Sequence, residues 1–280
     1  MSRSDCSFAR LSNGLRLAYV EQGRRDGPAI IMLHGYTDSH RSFDLLRPHL
    51  PESWRVIALT ARGHGQSDKP SEGYAATDMA SDVRALLDVL GIERAIVVGH
   101  SMGAAIALQV AADYPERVSG LVLMGAFAGF QEKSAVAELA DAVMAFEERV
   151  DPEFVLAFQE STFAEMIPQR FLDTVIAESL RCPAFVWRAA LQGQLDAAIV
   201  DAALRAQAPA LLIHGAEDAF VPQSDQLTLR DTLPSARIFT MQGVGHAPHW
   251  ERPAQTAALI QGFAGELADT GATLRYGVFG

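Results

Sequence analysis

Residues 94–112 read RAIVVGHSMGAAIALQVAA, and this stretch decides the fold of the chain. The run Ala95-Ile96-Val97-Val98 is apolar and mostly β-branched, which is typical of a strand buried on both faces of a parallel sheet. The turn Gly99–Gly103 then leads into an alanine-rich segment with helical character. Because the two glycines lack a Cβ atom, the backbone can turn sharply there and lift Ser101 above the sheet. We therefore expect Ser101 at the N-terminus of a helix, where backbone N–H groups and the helix dipole favour negative charge.

Strands and helices are predicted to alternate on both sides of this stretch. Ser12-Asn13-Gly14 separates two short alternating runs, which indicates a hairpin and an antiparallel edge. A helix is predicted over Asp78–Leu90, with Thr77 as its cap and Gly91 as its end. Further buried strands are predicted at Ala29–Leu33, Arg55–Leu59, Gly120–Met124, Ala210–Ile213 and Ala236–Met241. This spacing implies right-handed crossovers and an α/β fold, with a doubly wound, mostly parallel sheet and antiparallel N-terminal strands.

The alternation stops after Gly125. From residue 126 to residue 207 the pattern is helical only, and Asp151-Pro152 has the residues of a helix start. An insert of this length between two parallel strands exceeds an ordinary crossover. We therefore predict a core domain of residues 1–125 and 208–280 and a helical insert of residues 126–207. The insert is rich in aromatic residues, namely Phe127, Phe130, Phe154, Phe158, Phe163, Phe185 and Trp187.

Composition limits the classes of partner. The net charge of −11 argues against nucleic acid or an anionic membrane surface. The two cysteines, Cys6 and Cys182, suggest reduced thiols and no disulfide framework. The N-terminus lacks the apolar core of a signal peptide, and no stretch approaches the roughly 18 apolar residues of a spanning helix. We expect a cytoplasmic protein that acts on a small molecule, and its oligomeric state stays open.

Two loops after late strands carry groups that could activate a serine hydroxyl. Asp218 follows the strand at 210–213, and His246 follows the strand at 236–241. Ligand-binding loops gather at the carboxyl ends of the strands in such sheets. A serine hydroxyl is a poor nucleophile unless a histidine, oriented by a carboxylate, takes its proton. Glu217 is a rival acid, but the side chains of neighbouring residues usually diverge, so Asp218 is preferred.

These motifs, GHSMG at 99–103, GAED at 215–218 and GVGHAPHWERP at 243–253, resemble those of the α/β-hydrolase superfamily, of the capped serine esterase or carbon–carbon hydrolase type. The resemblance implies a catalytic triad of Ser101, Asp218 and His246, and it makes the helical insert a cap over the active site. It also implies an oxyanion hole formed by the backbone N–H groups of Met102 and Tyr36.

The resemblance implies a carboxylesterase-like serine hydrolase that cleaves a small, largely apolar carboxylic ester through an acyl-enzyme. The same triad serves relatives that hydrolyse lactones, amides or carbon–carbon bonds next to a ketone, and others that perform perhydrolysis, so these chemistries stay open. An alternative of another class is a slow-turnover ligand receptor. Dehalogenases and epoxide hydrolases of this fold carry aspartate where this chain has Ser101.

No metal and no cofactor are predicted. His246 and His249 could suggest a metal, but no H-E-x-x-H motif accompanies them. No glycine-rich nucleotide motif follows a strand. The remaining histidines are expected to be structural, as for His34 and His100, or to be solvent or loop residues, as for His40, His49 and His249.

Overall fold

One sheet of eight strands organises the fold, as seen in a computed structural model that describes residues 6–130 and 133–276. The strands lie in the order β1-β2-β4-β3-β5-β6-β7-β8. They are β1 (Ser7–Arg10), β2 (Arg16–Gly23), β3 (Ala29–Leu33), β4 (Arg55–Leu59), β5 (Ala95–His100), β6 (Val118–Met124), β7 (Ala210–Gly215) and β8 (Arg237–Met241). β1 pairs with β2, and β2 with β4, in antiparallel fashion, and the other neighbouring pairs are parallel. The predicted α/β fold is confirmed.

The central strands have apolar residues on both faces because each face has its own core. Along β3, Ile31 and Leu33 pack into one cluster, while Ile30 and Met32 pack into another on the opposite face. β4 and β5 alternate between the clusters in the same way. Burying one such side chain contributes about 1.5–3 kcal/mol to the free energy of unfolding. The two-sided core therefore accounts for the continuous apolar runs in the sequence.

Helices cover both faces of the sheet. They are α1 (Ala76–Val89), α2 (Met102–Asp113), α8 (Gln223–Thr232), α9 (Pro248–Glu251) and α10 (Pro253–Tyr276), together with 3-10 turns at His40–Phe43, Arg47–His49 and Pro115–Arg117. The predicted start of α1 was wrong. The helix begins at Ala76, because the Asp78 carboxylate accepts a hydrogen bond from the Ala75 N–H at 3.1 Å, so Thr77 lies within the first turn. None of the helices in the described residues has the length and apolar character needed to cross a bilayer.

The helical insert lies between β6 and β7, as predicted. It contains α3 (Ser134–Met144), α4 (Pro152–Glu160), α5 (Gln169–Leu180), α6 (Ala184–Leu195) and α7 (Ile199–Arg205). Asp151 caps α4 by accepting from the Glu153 N–H at 2.9 Å. The insert is fastened to the loop after β3, where the Tyr36 hydroxyl donates to the Trp187 carbonyl at 2.6 Å. The division into a core domain and an insert domain stays a prediction.

Candidate active site

Ser101 occupies a strained turn between β5 and α2. Its φ of 52° lies in the left-handed region, which side chains with a Cβ atom rarely adopt. A Cβ atom on Gly99 would lie 2.2 Å from the Gly103 carbonyl oxygen, and one on Gly103 would lie 2.0 Å from the Leu33 carbonyl oxygen. Only glycine therefore fits on either side of the serine. The close approach holds the start of α2 directly against β3 and β5.

Asp218 and His246 are in direct contact. The His246 Nδ1 lies 2.8 Å from the Asp218 Oδ2, and the aspartate side chain is fully buried. The other carboxylate oxygen, Oδ1, accepts from the backbone N–H groups of Phe220 and Val221, both at 2.9 Å. Burial by itself raises the pKa of Asp218, but the charge of His246, its hydrogen bond and the two backbone N–H groups outweigh burial. The pKa of the carboxyl therefore lies below its ordinary value.

This contact fixes the tautomer of His246. An ionised carboxylate can only accept, so the proton of a neutral imidazole resides on Nδ1 and Nε2 is left as a hydrogen-bond acceptor. Ser101 and His246 line one cavity. Within the described residues no hydrogen bond joins the Ser101 Oγ to the His246 Nε2. Such bonds in enzymes without substrate are often long and shorten in the substrate complex.

Glu251 anchors the loop that carries His246. Its carboxylate accepts from the Gly245 N–H at 2.9 Å, and it also accepts from the N–H groups of Ala164 and Glu165 in the insert, both at 2.8 Å. The His100 Nε2 lies 2.9 Å from the His246 carbonyl oxygen. Hydrogen bonds therefore connect the loop that carries His246 both to the insert and to β5.

The oxyanion hole that the resemblance implies would use two backbone N–H groups, and neither has a protein acceptor in the described part of the chain. They belong to Tyr36, in the loop after β3, and to Met102, the first residue of α2. The Tyr36 hydroxyl is already engaged with the Trp187 carbonyl, and burial raises its pKa well above the ordinary value. Tyr36 can therefore offer its backbone N–H to a ligand, while its hydroxyl serves the packing of the insert.

The cavity above Ser101 and its opening to solvent together contain about 510 Å³ of empty space, and the walls are mostly apolar. Of the aromatic residues in the insert region, Phe127, Phe130 and Phe158 line it. Among the described lining residues there is no lysine and no arginine. The full set of described lining residues is Tyr36, Asp38, His100, Ser101, Phe127, Phe130, Val136, Leu139, Phe158, Gln159, Thr162, Leu191, Gln194, Phe220, His246 and Trp250.

Asp38 is a second carboxyl group in the cavity wall, and the sequence interpretation missed it. The residue is 2% exposed. Its Oδ1 accepts from the Gln159 Nε2 at 3.2 Å, and its Oδ2 accepts from the Ser42 Oγ at 3.1 Å. Burial raises the pKa of Asp38 to about 7. The signal that could have found it is its place in the loop after β3, since this loop leaves the carboxyl end of a parallel strand.

Two histidine predictions were wrong. His40 and His249 are buried rather than exposed, and His249 has no solvent-accessible surface. Burial lowers the pKa of His249 well below its ordinary value, and it lowers the pKa of His40 to about 4. The His249 Nε2 lies 3.0 Å from the Ser42 Oγ, so this ring belongs to the same network as Asp38. Within residues 6–130 and 133–276 no group of three or more His, Cys, Asp and Glu side chains has an arrangement that could hold a metal ion.

We expect Asp38→Asn to stabilise the protein more at pH 8 than at pH 5. The folded-state pKa of about 7 lies above the ordinary value of 3.8, so the wild type loses stability as the pH rises between these values, and asparagine does not. At pH 8 the free energy of unfolding of the variant should exceed that of the wild type by on the order of a few kcal/mol. Urea unfolding of both proteins at the two pH values measures it.

The asparagine can keep the local hydrogen bonds. Its oxygen can accept from Gln159, and its NH₂ can donate to the Ser42 Oγ if the Ser42 hydroxyl turns toward the His249 Nε2. His246 and Glu178 are the charged groups that act on Asp38, and both are present in wild type and variant. If the unfolding free energies of the variant and the wild type differed by the same amount at pH 5 and pH 8, the raised pKa of Asp38 would be contradicted.

Comparisons with known proteins agree with this architecture. The family model described as alpha/beta hydrolase fold matches residues 28–253. The 2-hydroxymuconate semialdehyde hydrolase of a Pseudomonas species is 32% identical over 274 residues, which cover 91% of this chain and 93% of that protein.

Solved structures of esterases share the fold. The esterase from Exiguobacterium antarcticum superposes with a TM-score of 0.83 at 22% identity and covers 92% of this chain and 98% of its own. The esterase RhEst1 from a Rhodococcus species has a TM-score of 0.82 at 24% identity and covers 94% of this chain and 99% of its own. At this level of identity the likeness concerns the fold alone. With the family match spanning most of its length, the chain belongs to the α/β-hydrolase fold family.

Proposed function

We propose that the protein is a serine hydrolase that cleaves a small, uncharged and largely apolar carboxylic ester through an acyl-enzyme intermediate. The observation that carries this proposal is the buried Asp218–His246 hydrogen bond, at 2.8 Å, in the wall of the cavity that Ser101 also lines. Ser101 would be the nucleophile, His246 the general base and then the general acid, and Asp218 the group that orients and stabilises the histidine.

The proposed reaction has two halves. The Ser101 Oγ attacks the ester carbonyl carbon while the His246 Nε2 accepts the hydroxyl proton, and the negative charge on the carbonyl oxygen is held by the N–H groups of Tyr36 and Met102. His246 then gives the proton to the departing alkoxide, which leaves as the alcohol. A water molecule next gives a proton to His246 and attacks the acyl-enzyme, and the acid is released with the Ser101 hydroxyl restored.

The cavity wall favours an uncharged ester over an anionic substrate. The relative named 2-hydroxymuconate semialdehyde hydrolase acts, by that name, on a carboxylate. A buried carboxylate needs a positive partner, and the described lining residues supply neither lysine nor arginine but add the carboxyl of Asp38. Hydrolysis of a carbon–carbon bond next to a ketone is the second candidate, because this relative is 32% identical to the chain.

With 4-nitrophenyl butyrate we expect a burst of nitrophenol and a butyryl group on the peptide that contains Ser101. The reason is that the acyl-enzyme forms with release of nitrophenol before water hydrolyses it. Rapid-quench mass spectrometry of the digested protein measures the modification. A butyryl group on another residue would contradict the mechanism, and a Ser101 adduct that persists after one turnover would favour the receptor alternative.

A substrate panel separates ester from carbon–carbon hydrolysis. It compares 4-nitrophenyl butyrate with the carboxylate-bearing 4-nitrophenyl hemisuccinate and with a vinylogous diketone acid. A higher kcat/KM for the neutral ester than for both acids supports the proposal. A higher kcat/KM for the diketone acid would support the second candidate.

A further inference from the structure

We infer that Asp38 and Gln159 form a subsite that accepts a hydrogen bond from an uncharged donor group of the substrate, such as a hydroxyl. This inference rests on the proposed function, because it concerns the substrate of the same cavity. The two residues come from different parts of the chain: Asp38 lies in the loop after β3, and Gln159 lies on α4 of the insert. Both are almost completely buried, with exposed fractions of 2% and 1%.

The subsite is rich in acceptors that the protein leaves unused. When it is ionised, the Asp38 carboxylate offers about four lone-pair sites, and it uses two of them, one for Gln159 and one for Ser42. The Gln159 NH₂ donates both of its hydrogens, to Asp38 and to the Ser179 Oγ at 2.8 Å. Its Oε1 is buried and has no hydrogen-bond partner in the described protein. A buried acceptor without a partner is unfavourable, so a donor that reaches it gains affinity.

His100 adds a third acceptor beside Asp38. Its Nε2 contacts the His246 carbonyl oxygen, and a carbonyl cannot donate, so the proton lies on Nε2. The Nδ1 is then a lone-pair acceptor, and it is buried without a partner among the described residues. A Cβ atom on Gly35 would lie 2.7 Å from this Nδ1 and 3.2 Å from the Asp38 Oδ2. The His100 Nδ1 and the Asp38 Oδ2 therefore both lie close against Gly35.

The donor on the substrate is expected to be uncharged, because the cavity wall is mostly apolar and desolvating a charged group of either sign there is costly. An anionic group would face the Asp38 carboxyl, on which the charge of Glu178 already acts, and the described cavity wall has no lysine or arginine to compensate. A hydroxyl brings one donor and no charge, so it can use the free lone pairs without a large desolvation penalty. The rest of the cavity is apolar and aromatic, so a single polar group would fix the orientation of an otherwise apolar ester.

The test compares isosteric pairs of esters that differ only in a hydroxyl. 4-Nitrophenyl 3-hydroxybutyrate is compared with 4-nitrophenyl 3-methylbutyrate, and 2-hydroxyethyl butyrate is compared with propyl butyrate. At pH 8, above the Asp38 pKa of about 7, we expect the hydroxyl ester of at least one pair to have a kcat/KM about tenfold higher or more, which is the effect of one hydrogen bond to a buried charged acceptor. Asp38→Asn and Gln159→Met should each reduce this ratio severalfold.

Thr162→Val is the matched control within the cavity. The Thr162 hydroxyl already donates to the Gln159 carbonyl at 2.7 Å, so its loss should leave the ratio near the wild-type value. A ratio near one in both pairs, or a ratio that survives both Asp38→Asn and Gln159→Met, would overturn the inference. A preference for 4-nitrophenyl 3-aminobutyrate over the hydroxyl ester would also overturn it, since that result indicates a cation site.

Binding without turnover separates this inference from the proposed function. The Ser101→Ala protein is titrated calorimetrically with both members of each pair. Tighter binding of a hydroxyl ester, lost in the Ser101→Ala/Asp38→Asn double variant, supports the subsite whether or not Ser101 is the nucleophile. Equal binding of both members overturns the subsite even if Ser101-dependent turnover is fast.

Discussion

Replacing Ser101 by alanine is expected to lower kcat for 4-nitrophenyl butyrate by about 10⁴- to 10⁶-fold. The variant keeps the backbone N–H donors and the cavity, so it can still bind the ester, but it has no oxygen with which to form the acyl-enzyme. The fold should be retained, because the Ser101 side chain makes no hydrogen bond within the described residues. The backbone bond from the Ser101 N–H to the Met124 carbonyl, at 2.9 Å, does not depend on the side chain. Steady-state kinetics and thermal unfolding of the purified variant measure the two effects.

Ser81→Ala is the matched control for this experiment. Ser81 lies on α1 and donates to the Asp78 carbonyl at 2.7 Å, away from the cavity. Its removal should leave kcat within about twofold of the wild-type value, since surface changes of this kind seldom alter more than local stability. A Ser101→Ala variant that folds and keeps its rate within tenfold of wild type would refute the assignment of the nucleophile.

The fold could be predicted because its central elements are local patterns. β5 is buried along its whole length, and the sharp turn after it is marked by glycines that no larger residue could replace. The insert could be predicted because its helices have a period that differs from that of the strands. The start of α1 could not be predicted, because it depends on which nearby side chain accepts hydrogen bonds from the first backbone N–H groups of the helix. Asp78 does so by accepting from the Ala75 N–H, although Thr77 has a better propensity for the N-cap position than Ala75.

The proximity of Asp218 and His246 could be predicted from the sequence, whereas the network around Asp38 could not. Asp218 and His246 could be proposed because each follows a strand, and β7 and β8 are neighbours in the sheet, so the two loops meet. Asp38 was missed because its burial depends on Gln159, which is 121 positions away along the chain. His249 looked like a loop histidine because its partner, Ser42, is 207 positions away. Contacts of this range leave no periodic signal in a single sequence.

Replacing Asp218 by asparagine is expected to lower kcat by about 10⁴-fold while the fold is retained. The Oδ1 position accepts from the Phe220 and Val221 N–H groups, so the amide oxygen of asparagine should occupy it. The NH₂ group then faces the His246 Nδ1, which must become an acceptor. The imidazole proton moves to Nε2, and the histidine can no longer accept the proton of Ser101. Measured kcat for 4-nitrophenyl butyrate tests this expectation.

The neighbouring carboxylate provides the control that decides which acid supports His246. Glu217 is exposed, and its backbone N–H donates to the Val244 carbonyl at 2.9 Å. Glu217→Gln changes only the side chain, so this bond is retained. This variant should keep kcat within about twofold of wild type. If Glu217→Gln lost activity and Asp218→Asn retained it, the orienting acid would be the adjacent residue. In that case proton NMR of the His246 ring would show the same Nδ1 proton in Asp218→Asn as in the wild type. Our assignment requires this proton to disappear. The reason is that the Phe220 and Val221 N–H groups hold the amide oxygen of the asparagine, so its NH₂ group must face the His246 Nδ1.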